Sequence, residues 1–204
     1  MTKSIGKREL NRARRRCCII DVATLAFFEK GYGATSMSAI ADELGGSKAT
    51  LWSHFSSKED LFVAVVDAEV ASFAEDIEDV LTGRTYSREA LRRFCLRFVE
   101  LLLRPNSVKL FRLIIAEGPR FPEITEAFYA RGPVKLRKAV AEFYATRFDA
   151  CEAETLTQLT VSTLLGFRSD ALLRPVPPSR KEAEDFVDQF LTHFRLPDLQ
   201  DETA

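Results

Sequence analysis

Apolar residues recur at intervals of three and four along nearly the whole chain, as in Met37, Ile40, Ala41 and Leu44, and almost nowhere do they alternate in twos. That is the helical period, so a segment that buries one face here does so as a helix and not as a strand. Nine glycines and eight prolines in 204 residues leave few places to interrupt the helices. The chain therefore reads as all-α. The expected architecture is an N-terminal three-helix unit with a helix-turn-helix, residues 1–62, followed by a larger helical bundle, residues 63–204. At 46% hydrophobic residues, each part has material for a core.

Capping residues and breakers place the helices. A basic arm runs into a first helix whose apolar face is Ile19, Ala23, Ala26 and Phe27, ended by Gly31 in a left-handed conformation. Thr35 or Ser36 caps a short second helix that breaks at Gly45-Gly46, and Ser47 caps a third from Lys48 to about Phe55. Ser57, with Asp60 three residues on, opens a long fourth helix that closes at Thr82-Gly83. Beyond it the spacing predicts helices over 87–103, 106–117, 122–130, 133–149, 152–173 and 179–194, the last opened by a Ser179/Glu182 capping box. The last dozen residues read as frayed.

Net charge is −1, but its distribution is lopsided. Residues 1–58 carry ten Lys/Arg against five Asp/Glu, and the remainder nineteen against twenty-five. A basic head on an acidic body is expected where only the head meets a polyanion. No run of eighteen uncharged apolar residues and no signal-peptide pattern is found, so the expected location is the cytoplasm, away from membranes. Cys17, Cys18, Cys95 and Cys151 lack metal-ligand spacing and read as reduced thiols, and the two histidines, His54 and His193, are far apart. No metal, cofactor or catalytic set is implied.

The chemistry concentrates at residues 36–58. Two short helices joined by a glycine turn, with the first helix as brace, form a helix-turn-helix pattern whose second helix enters a DNA major groove. Leu51 and Phe55, four apart, point inward, which leaves Lys48, Ala49, Thr50, Trp52, Ser53 and His54 outward. Lys48 and Lys58 supply charge for phosphates, and Ser36 and Ser47 offer hydroxyls beside helix N-terminal amides. Thr50 and Ser53 are small enough for close approach to base edges, and Ala49 suits a thymine methyl. Trp52 brings an indole donor and a broad apolar face. A serine-hydrolase reading of Ser53 and His54 fails, because adjacent residues on a helix diverge.

The stretch from Ile19 to Phe62 resembles the DNA-binding domain of the TetR family of bacterial transcriptional regulators. The likeness is carried by FEKGY at Phe28 to Tyr32, by T-S-M with I-A following, by S-K-x-T-L and by H-F-x-S-K-E-x-L-F. It implies three helices for DNA and a larger helical domain that dimerises and binds a small ligand. The chain departs from the pattern at Trp52-Ser53, where many members have two tyrosines, and at Gly45-Gly46, where a branched apolar residue usually follows the first glycine. The stretch from Arg112 to Pro133 resembles the AefR-like subgroup of C-terminal domains.

In the larger half, Phe94, Phe98, Phe111, Phe128 and Phe143 lie on successive helices and are candidates to line a pocket for an apolar or aromatic effector, although a plain core would use the same residues. The final two helices offer Leu159, Thr163, Gly166 and Phe167, then Phe186, Phe190 and Phe194, a stripe suited to a four-helix homodimer interface or to burial within one copy. The expected function is a sequence-specific regulator, a repressor released from double-stranded operator DNA by an effector that shifts the fourth helix. The competing readings are a redox-responsive regulator using the cysteines and a helical ligand-binding protein that does not bind DNA.

Overall fold

A computed structural model describes residues 6–45, 48–81 and 85–194. These form ten α-helices and, among the described residues, no strand: α1 Lys7–Lys30, α2 Met37–Glu43, α3 Lys48–His54, α4 Lys58–Leu81, α5 Arg88–Leu102, α6 Pro105–Glu117, α7 Pro122–Arg131, α8 Pro133–Tyr144, α9 Ala150–Leu173 and α10 Arg180–His193. The expectations for Gly46, Ser47, Thr82-Gly83 and the chain beyond 194 lie outside the described residues.

The caps follow the side-chain chemistry. Ser36 Oγ accepts from Ala39 N at 3.1 Å, and Ser57 Oγ accepts from Asp60 N at 3.0 Å. Ser179 and Glu182 form the reciprocal box that opens α10. Thr35, the other candidate cap, is buried instead and donates to the Gly31 carbonyl at 2.7 Å. Gly31 does end α1 at positive φ, but with φ 88° and ψ 162° it is extended and not left-handed helical. α8 stops at Tyr144, five residues before the expected end, because the chain turns there and Asp149 caps α9 through the amides of Cys151 and Glu152. The basic arm is itself helical from Lys7.

The chain divides into two compact units, and the division differs from the expected cut at 62/63. The first unit contains residues 1–70 and 109–131, and the second 71–108 and 132–204. The reason is packing. Leu110, Leu113, Ile114 and Ile124, from α6 and α7, belong to the same buried cluster as Ile19, Phe27, Ile40, Leu51 and Phe62. Apolar faces on α6 and α7 thus draw a distant segment into the first unit.

In the first unit, Tyr32 sits among Phe27, Phe62 and Phe121 with ring centroids 5.1–5.6 Å apart. Such pairs add about 0.5–1.5 kcal/mol each beyond burial. The second unit has a larger aromatic interior. Phe94 stacks on Phe98 at 5.6 Å, and Tyr86 meets Phe143, Tyr144 and Phe148. Polar groups lie inside it too: Tyr144 Oη and Thr160 Oγ1 are hydrogen-bonded at 2.7 Å, and burial pushes the Arg168 guanidinium down to about 10. α5 holds α10 through a two-pronged pair between Arg92 and Asp188 at 2.6 and 3.0 Å, and through Arg88 Nη2, which donates to the Leu191 carbonyl at 2.7 Å.

Candidate nucleic-acid interface

The seven residues of α3 are too few to hold a helix alone, so tertiary contacts must fix it. Leu51 and Phe55 provide them at 1% and 4% exposure. With those two buried, Lys48, Ala49, Trp52 and Ser53 project outward, and Thr50 and His54 lie at the margin. Trp52 is 50% exposed, an unusual position for the chain's one tryptophan and one that leaves its ring free for an external surface. Ser53 Oγ donates back to the Thr50 carbonyl at 2.7 Å, so its acceptor lone pairs are what it presents outward. Ser36 opens α2 on the exposed side.

Lys58 goes elsewhere than its sequence position suggests. Its Nζ donates to the Tyr32 carbonyl at 3.0 Å and lies 4.2 Å from the centre of the Tyr32 ring. From α6, the Glu117 carboxylate reaches the same turn and accepts from the amides of Tyr32 at 2.9 Å and Gly33 at 2.5 Å. The Lys58 contacts tie α4 to the α1–α2 turn. Glu117 escaped sequence reasoning because nothing local marks a carboxylate that is to cap a turn 84 residues away.

Three arginines were also missed. His54 is held below the ordinary histidine range, first by burial and then by Arg12, Arg16 and Arg15, and the Arg16 guanidinium lies 5.0 Å from the centre of the Phe55 ring. A cationic edge of α1 thus flanks the C-terminal end of α3. It was legible in the sequence as charge, but not as a neighbour of His54.

Residues 19–65, which cover this whole assembly, match the family model described as bacterial regulatory proteins, tetR family. Residues 89–155 match that of the AefR-like transcriptional repressor C-terminal domain. The chain belongs to the TetR family. A curated TetR-type relative, the HTH-type transcriptional activator FasR of Mycolicibacterium smegmatis, is 37% identical over 83 residues, which is 41% of this chain and 38% of the relative. The chain thus aligns with well under half the length of that relative. Among solved structures, a TetR-family transcriptional regulator from Mesorhizobium loti is 29% identical with a TM-score of 0.77, over 90% of this chain and 96% of that one. The flavonoid-responsive regulator FrrA is 28% identical with a TM-score of 0.70, over 89% and 95%. The family and these relatives are transcriptional regulators and not enzymes.

The other expected sites of this TetR-family chain are partly brought together. Phe94, Phe98 and Phe143 pack in the second unit's core, whereas Phe128 packs in the first unit's core and Phe111 falls within the first unit's 109–131 segment. Thr163, Gly166, Phe167 and Phe186 do converge, on a groove of about 470 Å³ between α9 and α10. Within it Phe167 is buried and stacks on Phe186 at 4.5 Å, while Gly166 stays exposed; outside it Leu159 is also exposed, and Phe190 and Phe194 pair at 4.7 Å and pack partly into the core. Burial raises the Cys95 thiol pKa, while Cys17 and Cys18 stand exposed as consecutive residues of α1. Among the described residues, no group of His, Cys, Asp and Glu is arranged to hold a metal, and no helix is long and apolar enough to cross a membrane.

Proposed function

We propose that this chain is a homodimeric, sequence-specific DNA-binding regulator, a repressor released from its operator by a small apolar or aromatic effector. The observation that carries the DNA-binding part is α3: Leu51 and Phe55 hold it down, Lys48, Ala49, Trp52 and Ser53 project outward, and Thr50 and His54 border that face. Lys48 serves phosphates, Ala49 and Thr50 approach base edges, and Trp52 packs on sugar and base while its indole N–H donates. One seven-residue helix makes too few contacts for tight binding. Two heads on half-sites about 34 Å apart, or a multiple of that, combine them.

The groove between α9 and α10 supports the dimer. Gly166 opens on empty space, and a Cβ there would meet nothing within the chain, so a second copy could approach closely along Leu159, Thr163 and Gly166. The effector reading is supported by the ring-rich interior of the second unit, and a flavonoid, the class in the name of the similar regulator FrrA, is a fitting aromatic probe. α4 contributes residues to both units and is the natural element for a ligand to bias. Whether the outcome is repression depends on where the operator lies relative to the promoter, and the relative FasR is an activator.

The test is selection of binding sites from a randomised duplex library by the full chain, followed by titration of the selected duplex. A palindromic site bound by a dimer, with Lys48→Ala weakening it about tenfold, is the expected result. Absence of any enriched sequence would sink the reading, and an effector that binds without changing operator affinity would remove the ligand-release part.

A further inference from the structure

Apart from Arg16 over the Phe55 ring, the basic half of α1 has no part in the packing described so far, yet its placement is specific. Positions 8, 12, 15, 16, 19, 23 and 26 recur at three and four and share one arc of the helix. From Ile19 onward that arc is apolar and buried in the first unit's core. From Arg8 to Arg16 it is basic and solvent-facing, with Arg15 half-buried. The direction in which Ile19 and Ala23 point into the core therefore also fixes the direction of the arginines, and the depressed His54 and the Arg16–Phe55 contact place them beside α3.

Residues 7–16 hold six cations against one carboxylate, and that carboxylate, Glu9, accepts from Gly6 N at 3.2 Å at the start of the helix. So many like charges on two and a half turns repel one another in the free protein, and a polyanion laid against them removes the repulsion. Arg8 to Arg16 spans about 12 Å. Over that length duplex DNA presents about seven phosphate charges, enough for several contacts.

We propose that the Arg8, Arg12 and Arg15 edge of α1 is a second DNA-contact element, aligned along the phosphates that border the groove α3 enters. It rests on the DNA-binding reading above and lengthens each half-site beyond what α3 covers. Because phosphates carry no sequence, this edge adds affinity and register without choosing bases.

The experiment uses the full chain, a duplex it has itself selected and a mixed-sequence duplex, with affinity followed against potassium chloride by fluorescence anisotropy. Replacing Arg12 and Arg15 by Ala, a strong helix former that keeps α1 intact, should lower the slope of log K against log salt by about 2 per head and weaken both duplexes alike. Lys7→Ala with Arg14→Ala removes the same charge from the opposite face of α1 and should leave the slope near that of the unaltered chain. An unchanged slope for the Arg12/Arg15 variant, or an equal loss in both variants, would overturn the proposal. A chain that selects no sequence fails the DNA-binding reading itself, whereas one that selects a sequence but keeps its slope without Arg12 and Arg15 fails only this edge.

Discussion

Each of the two units contains a carboxylate that fastens one element to another, and the partners at the other end differ in kind. In the first unit Glu117 accepts from two backbone amides, those of Tyr32 and Gly33. In the second, Asp188 accepts from the guanidinium of Arg92, and Asp76 from those of Arg97 and Arg104. A guanidinium on a long stem swings back into water when its partner is lost. A backbone amide held in a turn cannot, and of the two the part-buried amide of Tyr32 is the one left with an unmade bond, since Gly33 is exposed. The first unit therefore has, beside surface pairs such as Arg131 with Asp67, a node that several segments share, whereas the second relies on replaceable surface pairs over a larger aromatic core.

This contrast is easiest to break at the node. Gly31 combines φ 88° with ψ 162°, a region open to glycine almost alone, and a Cβ there would run into the Glu117 carboxylate. Gly31→Ala should cost about 3 kcal/mol, read as a shift in the unfolding midpoint of Trp52 fluorescence, which reports the first unit only. Glu117→Ala should cost about 2 kcal/mol and speed hydrogen exchange at the amides of Tyr32 and Gly33. The two together should cost less than their sum, since the second removes the atom that the first collides with. Asp188→Ala should cost less than about 1 kcal/mol, because its pair with Arg92 is largely exposed. Equal effects from Glu117→Ala and Asp188→Ala would erase the comparison.

The smallest expected effect is in the response to acid. Hydrogen bonds from Arg97 and Arg92 hold Asp76 and Asp188 below the usual carboxylate range. The folded state therefore binds fewer protons than the unfolded chain near pH 4. The stabilisation is present above the unfolded carboxylate pKa of about 3.9 and disappears as pH falls through the folded values. In acid titrations followed by circular dichroism, an Asp76→Asn, Asp188→Asn variant should start slightly less stable at neutrality and show a shallower acid limb, its difference from the unaltered chain closing as pH falls through the folded values.

Much of the fold was legible because helix formation is local. The i, i+3, i+4 spacing, the Ser36, Ser57 and Ser179 caps and the inward turn of Leu51 and Phe55 all depend on residues within one or two turns of each other, and the structure agrees on each. The site was legible to the same depth: the outward face of α3 follows once two anchors are known.

What the sequence determined by itself is thus the helices, their punctuation and the side of α3 that is left over. Tertiary structure alone decided that 109–131 joins the first unit, that Lys58 turns inward to Tyr32, that the phenylalanines of the larger half divide between two cores, and that Arg16 stands over Phe55 at the end of α3. The reason is the range of the interactions. An apolar face records that it must be buried, but its partner is fixed by which other faces the chain's path can bring to it. That choice belongs to segments as far apart in sequence as Gly33 and Glu117.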